Sequence, residues 1–273
     1  MLWRNRRMSG NVVDRRGMDG SLGIGTLIFG AIIYTLMGGN PGEFFAQNTG
    51  MVQRQEALPA QDDEKRFVSV VLADTEDVWN SVFQSNGLRY REPKLVLFTG
   101  MVQSACGRGS SAVGPFYCPG DEHVYLDYGF FRELENSLGA GGDFAAAYVI
   151  AHEIGHHIQK LLGVHDTFRD RVGGMDEKGR NKLSVRMELQ ADCFAGVWAN
   201  QTQKMSRSLE EGDIQEAMSA ATAVGDDRLQ KASRGEVVPD SFTHGTSIQR
   251  VTAFERGNNS GNPQVCLNSY SFQ

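Results

Sequence analysis

Residues 143–163 read DFAAAYVIAHEIGHHIQKLLG, an apolar run that carries His152, Glu153, His156 and His157 within six positions. A run of this kind folds as a buried helix, and burying four ionisable groups is costly unless something pairs with them. Imidazoles together with a carboxylate point to a metal ion. Residues four apart share a helix face, so His152 and His156 offer their rings to one point. His157, about 100° further round, cannot join them, and its expected role is packing or hydrogen bonding. This is the H-E-x-x-H arrangement, in which two imidazoles hold zinc and the intervening Glu153 holds a water beside it.

A lone pentad is weak evidence, so a third ligand is required. The longer pattern with a third histidine six residues beyond the second fails here, because that position is Leu162. His165, past Gly163, is a weak alternative. The stretch VRMELQADCFAGVWA (185–199) is more promising. Glu188 and Asp192 are four apart and project from one helical face. Glu188 then completes a His2Glu zinc site with its fourth position open, and Asp192 accepts the second N–H of a ligating ring, His152. The competing reading, two solvated surface carboxylates, conflicts with the apolar character of Ala191, Cys193, Phe194, Ala195, Val197 and Trp198. Small residues at Gly155, Ala191 and Ala195 permit the close helix approach that shared ligation demands. Further on, SFTHGTS holds His244 beside Gly245, which allows close backbone approach; by default a lone loop histidine of this kind is solvated. Arg250 is a weaker candidate for orienting the site or a substrate carboxylate.

The rest of the chain frames this site. With 273 residues there is room for one large domain or two small ones. Net charge is −6, but residues 1–20 hold five arginines against two aspartates, a net of +3 that leaves −9 for the remainder. An acidic body argues against nucleic acid as partner. The segment SLGIGTLIFGAIIYTLMGG (21–39) has no charged residue and, at ~1.5 Å per residue, is long enough for one transmembrane helix. A cleaved signal peptide and a buried soluble helix are the competing readings. The arginine-rich flank would hold residues 1–20 in the cytoplasm and put the body on the periplasmic or extracytoplasmic side of the membrane. The resulting division is a basic head (1–20), a transmembrane helix (21–39), a Gly/Gln/Asn/Pro-rich linker (40–61) and a body (62–273).

Within the body, helical spacing covers 62–84, interrupted at Asp74, and helices are expected over 130–137, 143–162, 182–204, 210–223 and 247–256. KLVLF (94–98) and EHVYLD (122–127) read as strands. The second could receive an extended peptide by edge pairing, with His123 structural and the loop between Cys106 and Cys118 as one wall of the cleft. The sum is a helix-dominated α+β domain with a small antiparallel sheet. Four cysteines allow three pairings, Cys106 with Cys118 and Cys193 with Cys266 among them if the body is exported; in a cytosolic body, four unpaired core thiols would be expected. No C-x-x-C pair suggests metal ligation by cysteine.

AHEIGHHIQ, ELQADCFAGVWA and FTHGTSIQRVTAFERG, in that order, with SSAVGPFYCPGDEHVYLD before them, resemble the bacterial putative neutral zinc metallopeptidase (YpfJ-like) family, a membrane-anchored gluzincin group. The likeness spans roughly residues 68–257. It implies a zincin-like fold, Zn2+ held by His152, His156 and Glu188, Glu153 as catalytic base, His244 as the downstream histidine that gluzincins commonly direct at a developing oxyanion, and a peptide or protein substrate. An idle zinc-stabilised scaffold and a zinc hydrolase of a non-peptide amide are the alternatives. Glu153 favours an enzyme, since a structural zinc site does not require it.

Overall fold

The computed structural model describes residues 1–16 and 59–272. The expected transmembrane helix and nearly all of the expected linker lie outside those residues. Among the described residues no helix is long and apolar enough to cross a membrane.

The strands are β1 (Val12–Asp14), β2 (Lys94–Phe98), β3 (Met101–Ser104), β4 (Gly107–Ser110), β5 (Phe116–Cys118) and β6 (His123–Asp127). The helices are α1 (Pro59–Ser85), α2 (Gly129–Asn136), α3 (Asp143–Leu161), α4 (Val164–Val172), α5 (Glu177–Ser206), α6 (Asp213–Ala223), α7 (Asp226–Arg234), α8 (Ser247–Ser260) and α9 (Pro263–Ser269). One sheet runs β1-β2-β6-β5 and a separate hairpin pairs β3 with β4. The hairpin and the β5–β6 pair are antiparallel, in keeping with the small antiparallel sheet expected, whereas β1–β2 and β2–β6, the latter joining the two strands read from the sequence, are parallel. After the exposed Lys94, β2 is apolar from Leu95 to Phe98 because both its faces are covered there. Leu95 and Leu97 face the helical core, and Val96 and Phe98 pack with Val102 and Tyr125.

The helical core is built around large fully buried aromatics. Phe144 on α3 stacks on Trp198 of α5 at 5.6 Å, and Trp79 of α1 meets Phe194 of α5 edge-on at 5.7 Å. Helix ends are defined locally. Asp176 accepts from the Gly179 N–H at 2.8 Å to start α5, and Thr246 with Gln249 forms a capping box that starts α8. Two disulfides, Cys106–Cys118 and Cys193–Cys266, tie the hairpin to β5 and α9 to α5.

Two expectations are corrected. Residues 1–16 are not a separate head. β1 pairs with β2 in the register Val13↔Val96, Trp3 packs edge-on against Phe67, and Arg6 and Arg7 bind Asp74, Glu76 and Asp77 of α1. The interruption of apolar spacing at Asp74 marks where the N-terminal segment docks. Second, β6 lies between β2 and β5, so its backbone is already paired on both sides and cannot receive a peptide. The outer strand on that side is β5.

Candidate metal centre

α3 and α5 cross at Gly155. A Cβ built there would lie 2.8 Å from the Ala191 carbonyl oxygen and 2.9 Å from its Cα, so only glycine permits this approach. The approach brings His152, His156 and Glu188 together, with one ligand atom from each lying within 4.8 Å of the other two. The His152 Nε2 is 3.1 Å from one Glu188 oxygen, and the His156 Nε2 is 3.5 Å from the other.

The far nitrogen of each ring is held by a side chain. His152 Nδ1 lies 2.7 Å from Asp192 Oδ1, and His156 Nδ1 lies 2.8 Å from Gln159 Oε1. Gln159 is itself fixed, donating to the Met187 carbonyl at 2.7 Å and to Gln190 at 3.1 Å. Both Nε2 atoms are thereby aimed at Glu188, the arrangement that outer partners impose on ligating imidazoles.

Asp192 is fully buried and serves three groups. Besides His152 it accepts from Tyr148 Oη at 2.6 Å and from Arg250 Nε and Nη2 at 2.8 and 2.9 Å. Burial alone would raise its pKa, but Arg250 and His152 hold the carboxyl well below the usual carboxylate range. Burial likewise disfavours charge on Glu188 and on the rings. The attraction between them nonetheless keeps Glu188 low and carries His152 and His156 upward. An anionic pocket of this kind asks for a cation, and a proton or a metal ion meets that demand. Two imidazoles and a carboxylate are the donor set of a zinc site with an open fourth position, so these residues fit Zn2+.

The site floors a cleft of about 530 Å3. Glu153 lines it, 7% exposed, with no hydrogen-bond partner among the described residues. Facing it are Gly114, Pro115, Phe116 and Tyr117 from β5 and the loop before it. His244 enters from the loop before α8. The two other histidines near the motif do not join the donor set. His157 Nε2 donates to the Arg91 carbonyl at 2.6 Å and its Nδ1 accepts from Tyr117 Oη at 3.0 Å. His165 Nε2 is 3.1 Å from the His156 carbonyl, and burial pushes its pKa down to about 4. His123, on β6, bonds through Nδ1 to the Asp121 carbonyl.

Sequence reasoning missed two supports of the site. Gln159 reads as an ordinary helix glutamine, and only its place three residues after His156 hints at a role. Asp226 reads as a first-turn helix acid. Its Oδ2 accepts the backbone N–H groups of Thr243, His244 and Gly245 at 2.9, 2.7 and 2.9 Å, and its Oδ1 lies 3.3 Å from His244 Nδ1. That contact, ahead of the opposing effect of burial, raises the His244 pKa. Gly245 completes the turn at φ 96°, a conformation that favours glycine.

The sequence profile of one family, described as putative neutral zinc metallopeptidase, matches residues 1–270. The chain belongs to this family. Its metal is Zn2+, in agreement with the donor set. An Escherichia coli K12 protein named uncharacterized protein YpfJ is 47% identical over 281 residues, covering 97% of this chain and 98% of its own length. An uncharacterized protein of Mycobacterium tuberculosis is 39% identical over 249 residues, covering 85% of this chain and 83% of its own. No solved structure matches the chain.

Proposed function

We propose that the protein is a zinc-dependent peptidase in which His152, His156 and Glu188 hold the metal and Glu153 is the general base. The observation that carries this reading is Glu153, a side chain that lines the cleft and makes no hydrogen bond among the described residues, beside a convergent His2Glu donor set. Bound zinc supplies Lewis acidity, which lowers the pKa of a coordinated water and polarises a carbonyl. Glu153 takes the proton as water attacks the scissile carbonyl carbon and delivers it to the departing amine when the C–N bond breaks. His244, held at its Nδ1 by Asp226, donates through Nε2 to the carbonyl oxygen as charge develops there. Asp192 keeps His152 in the tautomer that presents Nε2, and Arg250 keeps Asp192 ionised.

The peptide lies extended along β5, whose outer edge has no strand partner among the described residues and whose Phe116 and Tyr117 line the cleft. The test is Glu153→Gln in the full chain, assayed on a peptide library. The expected outcome is unchanged zinc content with cleavage reduced by roughly 10²–10⁴-fold. Undiminished cleavage by the variant would remove Glu153 from the mechanism.

A further inference from the structure

The cleft has two ends, and α3 sets their spacing. Val149, Glu153 and His156 share one face of that helix, so Val149 lies one turn before Glu153 and about 10 Å along the axis from His156. At the Val149 end stands Val224, whose carbonyl accepts from Arg250 Nη1 at 3.4 Å, with Leu229 on the helix that follows. At the His156 end stand Met187 and Phe168. Gln159 links His156 to the Met187 carbonyl, His165 ties α4 to the His156 carbonyl, and Phe168 packs on the small apolar cluster that contains Met187. Glu153 therefore sits between two apolar patches contributed by different helices.

Charge is treated differently in the same cleft. Arg250 is the one arginine or lysine among the described lining residues, and its Nε and Nη2 are both engaged by Asp192. The lining carboxylates are Glu188, in the donor set, and Glu153, and His244 is paired with Asp226. A charged side chain or a chain terminus drawn in beside the scissile bond would be desolvated without an opposite charge, whereas an apolar side chain is stabilised by the same burial.

We infer that the cleft receives an extended apolar stretch of polypeptide, uncharged on both sides of the scissile bond, and so acts on interior bonds. One flanking side chain is taken by Val149, Val224 and Leu229, and the other by Phe168 and Met187. The inference rests on the peptidase reading. Stretches of this kind are interior in folded proteins, so the substrate is polypeptide in an unfolded state.

The test gives the zinc-loaded full chain a library of peptides, blocked or free at their termini, that vary the two residues around a central bond. Cleavage of blocked peptides with apolar pairs is expected to exceed that of peptides with Lys or Glu at either position by roughly 100-fold in kcat/KM. Equal cleavage of the charged peptides, or cleavage only of peptides with a free terminus, would overturn the inference. Leu229→Asp and Phe168→Asp probe the ends separately, and neither removes a core side chain, since Leu229 is 37% exposed and α4 buries no residue. Each variant is expected to gain cleavage of peptides with Lys on one side of the bond, and the two on opposite sides. An unchanged preference in either would overturn the role of that end. Binding of labelled library peptides to zinc-loaded Glu153→Gln, read by fluorescence anisotropy, separates the inference from the reading beneath it. Apolar-selective binding with no cleavage by the native chain would uphold the cleft's selectivity and overturn the peptidase reading, whereas binding indifferent to charge would overturn the selectivity whatever is cleaved.

Discussion

Two buried polar clusters in this molecule are built from the same kinds of side chain and end differently. Where the N-terminal segment docks on α1, acids enclosed by the fold, Asp74 and Glu76, find cations supplied by the chain itself, Arg6 and Arg7. In the cleft, Asp192 likewise has Arg250, but among the described residues the ion pairs of Glu188 are with the two imidazoles. The first cluster draws its cations from the protein itself. The second is completed only by protonating a ring or by adding a metal ion, and the far ring nitrogens are fixed so that the metal is favoured. The difference shows what a metal site requires beyond the presence of ligand residues. The protein must supply an arginine to the supporting carboxylate and leave the ligating carboxylate without one.

Removing the cation from each cluster sharpens that contrast. Arg250→Met leaves Asp192 buried against one ring and one phenol, and a loss of about 3–5 kcal/mol of folding stability is expected in denaturant titration of the metal-free chain. A stability close to that of the native chain would show that Asp192 does not depend on Arg250. A milder change touches the metal alone. Gln159→Leu removes the acceptor for His156 Nδ1, and zinc affinity measured by competition with a chelator is expected to fall by roughly 10–100-fold while the fold is kept. Unaltered affinity would mean that the His156 ring is oriented by packing.

At the docking site the effects are smaller and depend on pH. Burial raises the Asp74 pKa to about 6 despite Arg6 beside it. A carboxyl whose folded pKa lies above its ordinary value contributes stability that is full below that ordinary value, near pH 4, and is lost as pH rises through about 6. Asp74→Asn is therefore expected to gain on the native chain between pH 4 and 7, by on the order of 1 kcal/mol, as read from melting across that range. A difference that does not vary with pH would show that Asp74 is ionised throughout. Smallest of all, Arg7→Met should cost under about 1 kcal/mol, because that guanidinium is half exposed and its pairs are screened.

The same contrast explains what the sequence could disclose. The cleft depends on short-range periodicity. The spacing of His152 to His156 and of Glu188 to Asp192 is visible in the chain, and the Gly155–Ala191 crossing follows from the small residues that make it possible. The N-terminal docking joins residues roughly 70 to 80 positions apart, and nothing local in Arg6 or Val13 names a partner. Its one local trace was the break at Asp74. The short helices α4, α7 and α9 escaped for a related reason. α4 buries no residue, and α7 and α9 bury one each, so none has a full apolar face to read. Asp226 was hidden because its role is to gather three backbone N–H groups from a loop 17 to 19 residues downstream.

The central claim is that Glu188, brought from a second helix, completes the metal site begun by the two histidines. Metal analysis of the purified full chain beside its Glu188→Ala variant tests it most directly. About one zinc per native chain is expected, with the variant emptied by a chelator concentration that leaves the native chain loaded. Equal zinc retention by a folded Glu188→Ala variant would contradict the account.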